Sequence, residues 1–278
     1  MGARARGFRR AFPLFFMSMR SSLFVCSVLA AALGFVACGG PSAPPSPETA
    51  KAPTKKVDAA TTGSVSGKVS FTGTPPVPGV LRMATDPACT PPAGVQALSE
   101  TALVSKDGLV QNAFVYVKSG LDSAYAFDVP ASPVELDQKG CRYAPHVLGL
   151  QLGQALNVVN SDDTMHNVHA LPMANREFNQ GLNAAGQKMT KTFTTPEVMV
   201  KFKCDVHGWM TAWVGVLPHP YFAVTGADGT FELKGVPPGT YTIEAWHEQF
   251  GTRTATVTIT GKDTQKADFT FAADGSGK

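Results

Sequence analysis

The sequence predicts an all-β protein. Beyond Gly63, short runs in which apolar and polar residues alternate are separated by Gly, Pro, Asn and Asp, which is the pattern of half-buried strands joined by turns. No run of helical periodicity continues beyond a few turns. With 278 residues, 44% of them apolar, the chain is long enough for one or two packed cores. We therefore expect β-sandwiches.

Period-two alternation predicts nine strands. They span residues 64–72, 108–118, 146–152, 155–160, 198–204, 212–217, 230–233, 240–246 and 253–259. The dipeptide Asp228-Gly229 predicts a hairpin turn directly before the seventh of them.

Residues 1–37 are predicted to be a lipoprotein-type signal peptide. Five arginines precede an almost wholly apolar stretch, residues 21–36, as in secretion signals. The stretch ends at Cys38 and resembles the lipobox of bacterial lipoproteins, although Phe35 stands where that family usually has Leu. The resemblance implies that Cys38 is acylated and that the protein is exported and lipid-anchored to a bacterial membrane, facing the periplasm or the cell surface. A membrane-spanning helix and cleavage without acylation are the alternatives.

Residues 38–62 are predicted to form a disordered tether. They are rich in Pro, Ala, Ser, Thr and Lys and contain almost nothing to bury. A tether behind a lipidated cysteine would hold the folded part away from the membrane.

The charge of the remaining chain excludes one class of partner. Without the five arginines of the predicted signal peptide, 19 basic residues remain against 21 acidic ones. The body of the protein therefore has no polybasic surface of the kind that binds phosphate backbones. We expect no nucleic acid partner.

The most informative stretch is Cys204-x2-His207-x2-Met210. With five Cys, six His and nine Met in the chain, composition predicts about 0.003 such spacings by chance. In the strand that leads into it, Phe202 and Cys204 alternate with lysines, so period two turns the thiol inward. Gly208 allows a tight turn, which lets the three donors converge on one point.

A fourth donor is expected from residues 163–169, at the start of a strand that follows the loop after Asn160. In an extended chain His166 and His169 lie on opposite faces, so only one of them can join Cys204. Alternation with Val168 favours His166, although a bend in the loop would change the choice.

A thiolate, two imidazoles and a thioether suit copper, because sulfur favours Cu(I), imidazole tolerates Cu(II) and a trigonal site with a weak axial Met accommodates both. Zinc hydrolysis is a weaker hypothesis, since a thioether is a poor zinc ligand and no acid has the spacing of a general base. A binuclear copper site would need a second Cys in the ligand loop, and no Cys-x-x-Cys-His haem site occurs.

The His166-Asn167 pair, some forty residues before the Cys-x2-His-x2-Met loop, resembles the cupredoxins, and the short loop is most like that of amicyanin. This resemblance implies a Greek-key β-sandwich at residues 133–218 with one mononuclear type 1 copper held by the ligands His166, Cys204, His207 and Met210. It further implies that Asn167 joins the two ligand loops. Electrons would leave through His207, with Val206, Gly208 and Trp209 in an apolar docking rim.

The function that the resemblance implies is the transfer of single electrons to and from an unknown redox partner protein, not enzyme catalysis, with no small-molecule substrate. Two alternatives use the same chain differently. One is a copper-binding lipoprotein that stores or delivers the metal, and the other is a structural or interaction protein with a vestigial metal site.

Residues 63–132 and 219–272 resemble the opening and closing parts of carboxypeptidase-regulatory-like, transthyretin-type β-sandwiches, and residues 273–278 form a tail. The motifs that carry this resemblance are Ser66-Gly67-Lys68-Val69, Thr225-Gly226-Ala227-Asp228-Gly229-Thr230-Phe231 and Val236-Pro237-Pro238-Gly239-Thr240-Tyr241. The middle domain is either inserted into this second sandwich or strung in order with it.

Two cysteines remain once the others have roles. Cys26 leaves with the signal peptide, Cys38 is the lipidation site and Cys204 is a ligand. Since an exported protein lies in an oxidising compartment, we predict a disulfide between Cys89 and Cys141.

Overall fold

The structure is a computed structural model that describes residues 52–273. The predicted signal peptide, Cys38, residues 38–51 of the predicted tether and residues 274–278 of the tail lie outside this range. The described part contains seventeen strands and two short 3-10 helices, so the all-β prediction is confirmed. Among the described residues no helix is long and apolar enough to cross a membrane.

The strands are short and follow one another closely. In chain order they are β1 (Gly63–Thr72), β2 (Phe114–Ser119), β3 (Val134–Gln138), β4 (Tyr143–Ala144), β5 (Val147–Gln151), β6 (Ala155–Asn160), β7 (His166–Leu171), β8 (Phe178–Leu182), β9 (Lys188–Thr192), β10 (Glu197–Lys203), β11 (Thr211–Leu217), β12 (Phe222–Val224), β13 (Thr230–Val236), β14 (Gly239–His247), β15 (Gly251–Ile259), β16 (Thr264–Lys266) and β17 (Phe269–Ala272).

One pair of sheets is built from both ends of the described chain. Its first sheet has the order β13-β1-β16, with β17 also paired to β1, and its second has the order β12-β2-β14-β15. Every second residue of β1 is buried, as period two requires, and Val65, Val69 and Ile243 lie in the core between the sheets. We call this pair the outer sandwich.

The strands between β2 and β12 form the second pair of sheets, which we call the inner sandwich. Its sheets have the orders β5-β11-β10-β7-β8 and β4-β3-β6-β9. Leu136, Leu150, Leu156 and Phe202 are completely buried in its core. The neighbouring strands β7 and β10 are antiparallel, with Lys203 opposite His169, and this register brings the start of β7 close to the end of β10.

The two sandwiches pack face to face through a small aromatic cluster centred on Phe114 of β2. Two glycines of the inner sandwich allow this approach. A Cβ atom at Gly215 would lie 2.4 Å from Cζ of Phe114, and one at Gly149 would lie 2.5 Å from the ring of Phe222. Because both faces of its first four residues are covered, β2 is a continuous apolar run and not an alternating one.

Two local predictions were wrong. The strand predicted at residues 108–118 begins only at Phe114, because Gly108 and Asn112 have positive φ angles of 75° and 63° that interrupt an extended chain. A turn does occur at Asp228-Gly229, but it is not a hairpin. The strands on its two sides, β12 and β13, pair with different sheets.

The described end of the predicted tether is ordered. The backbone of Lys55 donates to the carbonyl of Ala124 at 2.8 Å and accepts from the N–H of Ala126 at 2.8 Å. Its ammonium group lies 4.3 Å from the ring centre of Tyr125 and 3.2 Å from a carboxylate oxygen of Asp122. The composition of this segment did not indicate such contacts, because backbone pairing and cation–π packing need few apolar residues.

Candidate metal centre

Cys204 follows the last residue of β10, and its side chain lies in the core of the inner sandwich. The residue is 1% exposed, and the alternate positions Val200 and Phe202 are fully buried, as the alternation predicted. Backbone hydrogen bonds close the loop that follows. The N–H of Cys204 donates to the carbonyl of Met210 at 3.1 Å, and the N–H of Met210 donates to the carbonyl of His207 at 2.9 Å.

His166 begins β7 and points to the same place. Its Nδ1 atom lies 2.9 Å from Nδ1 of His207, and the Sγ atom of Cys204 lies 3.9 Å from that same His207 nitrogen. The three donor atoms all lie within 4.8 Å of one another, and all three residues are buried. Met210 is 1% exposed and packs in the same core. The structure therefore brings together His166, Cys204 and His207, with Met210 at the end of their loop.

The donor set fits a metal ion. Imidazole nitrogens bind first-row metals at about 2 Å, so two nitrogens 2.9 Å apart can share one ion. Burial lowers the pKa of His166, although its hydrogen bond with Asp162 opposes the shift, so the imidazole is neutral near pH 7, the form that binds metals. A thiolate with two imidazoles suits copper.

Two further groups of possible ligands surround this set. Asp86, Cys89 and His207 form one, and Cys141 with Asp162 and His166 forms the other. In both groups the sulfur belongs to a disulfide between Cys89 and Cys141, whose Cα atoms are 5.5 Å apart. A disulfide sulfur is not a thiolate and does not replace one as a ligand. Among the described residues the only free cysteine is Cys204.

The cysteine sulfur accepts two backbone hydrogen bonds. The N–H groups of Asn167 and His207 lie 3.5 Å and 3.4 Å from Sγ of Cys204. Such contacts hold the sulfur in place and can stabilise the negative charge that a metal-bound cysteine carries. The side chain of Asn167 also accepts from the N–H of Asp205 at 2.6 Å, so this residue bridges the two ligand loops.

A buried tyrosine, which the sequence did not identify, joins the same loops. The hydroxyl of Tyr143 lies 3.0 Å from the carbonyl oxygen of Asn167 and 3.2 Å from that of Lys203, and it accepts from the amide of Gln138. Burial raises the pKa of Tyr143 well above its usual value, so the hydroxyl stays protonated and remains a donor. A buried Tyr carries no signal in the sequence beyond that of an ordinary core residue.

Each histidine also has a carboxylate at its outer nitrogen. Nε2 of His166 lies 2.9 Å from Oδ2 of Asp162, and Nε2 of His207 lies 2.8 Å from Oδ2 of Asp86. The hydrogen bond from His207 lowers the pKa of Asp86. Sequence reasoning missed both acids. Asp162 lies only four positions before His166, whereas Asp86 has no local relationship to the motif at all.

His207, through which the resemblance to the cupredoxins implies that electrons leave, does not itself reach the surface. It is 2% exposed because residues 83–89, which we call the cap segment, cover its outer nitrogen. The cap segment consists of the 3-10 helices Met83–Thr85 and Pro87–Cys89, with Asp86 between them. Of the predicted rim, Val206 is 49% exposed, while the half-buried ring of Trp209 packs 5.1 Å from that of His207.

Three histidines outside the ligand set contact other protein groups. His169 lies between the carboxylates of Asp205 and Glu177, at 2.9 Å and 2.7 Å. His146 bonds to Glu248, and the buried His219 bonds to the carbonyl of Val117 at 3.0 Å.

Comparison with known proteins gives one family match and several structural matches. Residues 215–272 match the family model of the carboxypeptidase regulatory-like domain, and this range contains all the strands from β12 to β17. No curated protein sequence matches the chain.

Several solved copper proteins are similar in structure. A copper-containing nitrite reductase from Thermus scotoductus SA-01 is 21% identical with a TM-score of 0.30, over 37% of this chain and 26% of that one. A purple cupredoxin from Nitrosopumilus maritimus is 21% identical with a TM-score of 0.26, over 30% of this chain and 98% of that one. An amicyanin variant in the Cu(I) state is 20% identical with a TM-score of 0.28, over 37% of this chain and 97% of that one.

Both resemblances seen in the sequence thus recur in the comparisons. The chain spans about a quarter of the length of the nitrite reductase and nearly the whole length of the purple cupredoxin and the amicyanin. The ligand set is assigned from the distances between its donor atoms and from their burial.

Proposed function

We propose that this chain binds one mononuclear type 1 copper ion through His166, Cys204, His207 and Met210 and carries single electrons between redox partner proteins. The observation that carries the proposal is the convergence of one buried thiol and two buried imidazole nitrogens within 4.8 Å. A copper ion held there would supply one-electron chemistry, by cycling between Cu(I) and Cu(II).

Hydrogen bonds from surrounding residues fix the orientation of these ligands. Asp86 and Asp162 hold the outer nitrogens of the two histidines, which leaves Nδ1 of each imidazole for the metal. Two backbone N–H groups hold the sulfur of Cys204. A rigid ligand set needs little rearrangement when the charge of the metal changes, which suits an electron carrier.

The burial of the ligands favours a carrier over the alternatives. His166, Cys204, His207 and Met210 are each at most 2% exposed. Copper delivery requires ligands that an acceptor protein can reach, and an enzyme requires an open position for substrate. Both needs conflict with a closed site, whereas electrons can cross a few ångströms of packed protein.

We further propose that the protein works outside the cytoplasm, attached to a bacterial membrane through Cys38, facing the periplasm or the cell surface. The disulfide between Cys89 and Cys141 supports an oxidising compartment. The resemblance of residues around Cys38 to a lipobox supports the lipid anchor.

Copper titration followed by visible spectroscopy tests the site. The purified chain should bind one equivalent and develop an intense thiolate-to-copper charge-transfer band. The band should be absent from Cys204→Ser and greatly weakened in His166→Gln. His169→Gln is the matched control, since His169 lies on the same strand but contacts carboxylates on its other face, and it should keep the full band.

Colourless protein after copper addition would contradict the proposal and favour a vestigial site. If the band does develop, voltammetry and the transfer of copper to a chelator separate an electron carrier from a protein that stores or delivers copper. A carrier should give a reversible one-electron wave and retain its copper against a chelator, whereas rapid surrender of copper to a chelator would favour storage or delivery.

A further inference from the structure

The carboxylate of Asp86 is held in place by its own cap segment. One oxygen accepts a hydrogen bond from the N–H of Ala88 at 2.9 Å, which starts the second 3-10 helix. The other oxygen lies 2.8 Å from Nε2 of His207 and 3.5 Å from the hydroxyl of Thr164. Both oxygens are thus engaged, and the orientation of the carboxylate toward His207 follows from local backbone geometry.

The cap segment is in turn attached to the inner sandwich. Cys89 is 4% exposed and forms the disulfide with Cys141, and Met83 is 3% exposed in the same core cluster as Cys204. Beyond the disulfide, the indole of Trp209 donates to the carbonyl of Cys141 at 3.0 Å. Both the cap segment and the ligand loop are therefore attached to Cys141, the first through the disulfide and the second through Trp209.

A carboxylate in this position changes the properties of a metal-bound imidazole. When the outer N–H of the ring donates to an anion, the inner nitrogen becomes a stronger donor. The negative charge itself also favours the more highly charged metal ion. Both effects stabilise Cu(II) relative to Cu(I), and they act across a partly buried contact, in which the side chain of His207 is 3% exposed and that of Asp86 is 27% exposed.

We propose that Asp86 is a positioning residue, which acts through His207 to bias the bound copper toward its oxidised state. This inference rests on the proposed copper site. It assigns a function to the cap segment, which lies well over a hundred positions before His207 and which the ligand motif does not include.

The test compares reduction potentials of the copper-loaded full chain with those of two variants. Asp86→Asn keeps the shape but removes the charge. Its single amide oxygen can still cap the N–H of Ala88, which leaves its NH2 group facing Nε2 of His207, so the hydrogen bond that His207 donates is lost as well. We expect the ratio of Cu(I) to Cu(II) to rise at least about tenfold, which is equivalent to an increase of about 59 mV in the reduction potential of a one-electron couple. Glu100→Gln is the matched control, because Glu100 pairs with Arg142 at 3.4 Å and does not contact His207. Glu100→Gln should change the ratio of Cu(I) to Cu(II) by less than about threefold.

A second measurement follows copper loss to a chelator in Asp86→Ala, which in addition removes the cap on the N–H of Ala88. We expect the loss to be at least about tenfold faster than in the unaltered chain. An unchanged potential in Asp86→Asn, with the charge-transfer band intact, would overturn this inference while leaving the copper site standing. An unaltered chain that never develops the band would overturn the proposed function, and this inference with it.

Discussion

The side-chain oxygen of Asn167 accepts a hydrogen bond of 2.6 Å from the backbone N–H of Asp205. The contact is reciprocal, since the amide nitrogen of Asn167 lies 3.1 Å from the carboxylate of Asp205. Each residue directly follows a proposed ligand, His166 in one case and Cys204 in the other. The two ligand segments are thus joined by side-chain bonds that need no metal.

Replacing Asn167 with Ala should loosen this junction in the copper-free protein. The N–H of Asp205 would lose its partner, and we expect the free energy of unfolding to fall by about 1–3 kcal/mol. Urea denaturation of the copper-free chain measures the change. Asn157→Ala, which removes an exposed contact with Thr190, should cost less than about 0.5 kcal/mol. Equal losses in both variants would contradict the role assigned to Asn167.

Gly215→Ala should destabilise the contact between the sandwiches. The new methyl group would lie 2.4 Å from Cζ of Phe114, a buried ring with little freedom to move. Overpacking of this kind costs about 1–3 kcal/mol. Thermal unfolding of the variant should show the loss, whereas Gly261→Ala, where a methyl group meets nothing within 4 Å, should unfold like the unaltered protein. A stable Gly215→Ala would show that the interface is looser than described.

His247 should make the folded state sensitive to acid. It is 1% exposed between Phe250 and Phe271, and burial lowers its pKa from 6.5 to about 4. Between these two pH values the unfolded chain binds the proton and the folded chain does not, so stability falls as pH falls. The loss is about 3 kcal/mol and is complete only below pH 4.

His247→Phe would keep the aromatic packing without the titrating group. Urea denaturation of the copper-free chain at several pH values should show a smaller decrease in stability below pH 6.5 than in the unaltered protein. The same slope in both proteins would mean that His247 does not carry the effect.

Cys38→Ser tests the proposed membrane anchor. If Cys38 is acylated, the unaltered chain should incorporate a labelled fatty acid in a bacterial host and sediment with membranes, because the lipid chains supply the membrane affinity. The Ser variant should lose the label and become soluble after export. Cys26→Ser serves as the control and should behave like the unaltered chain. Membrane association of Cys38→Ser would point to a retained spanning helix.

The parts of the site that depend on local spacing could be predicted. Alternation along β10 turned Cys204 inward, and the three-residue steps to His207 and Met210 indicated a shared centre from the order of the residues alone. The choice of His166 over His169 followed from the same period-two argument. The positions of these side chains could be predicted because strand geometry by itself determines which face a residue occupies, whereas their role as copper ligands stays a proposal.

Features that depend on pairing between distant segments could not be predicted. The strands β16 and β17 are only three and four residues long and pair in parallel with β1 from the far end of the chain. The strand β8 is mostly exposed and has no alternation. Asp86 lies in a cap segment whose contacts with His207 depend on the disulfide and on the core, not on a motif.

The pairing of β1 with β16 and β17 joins segments from the two ends of the described chain. Ser64 and Thr264, hydrogen-bonded at 3.0 Å, are 200 positions apart. The strands of the inner sandwich pair only with one another, all within residues 134–217. During synthesis from the N-terminus, we therefore expect the core of the inner sandwich to form first, while β1 stays unpaired until the C-terminal strands have been made. Truncation near the C-terminus would then leave an exposed β1 edge prone to aggregation beside an otherwise assembled inner sandwich.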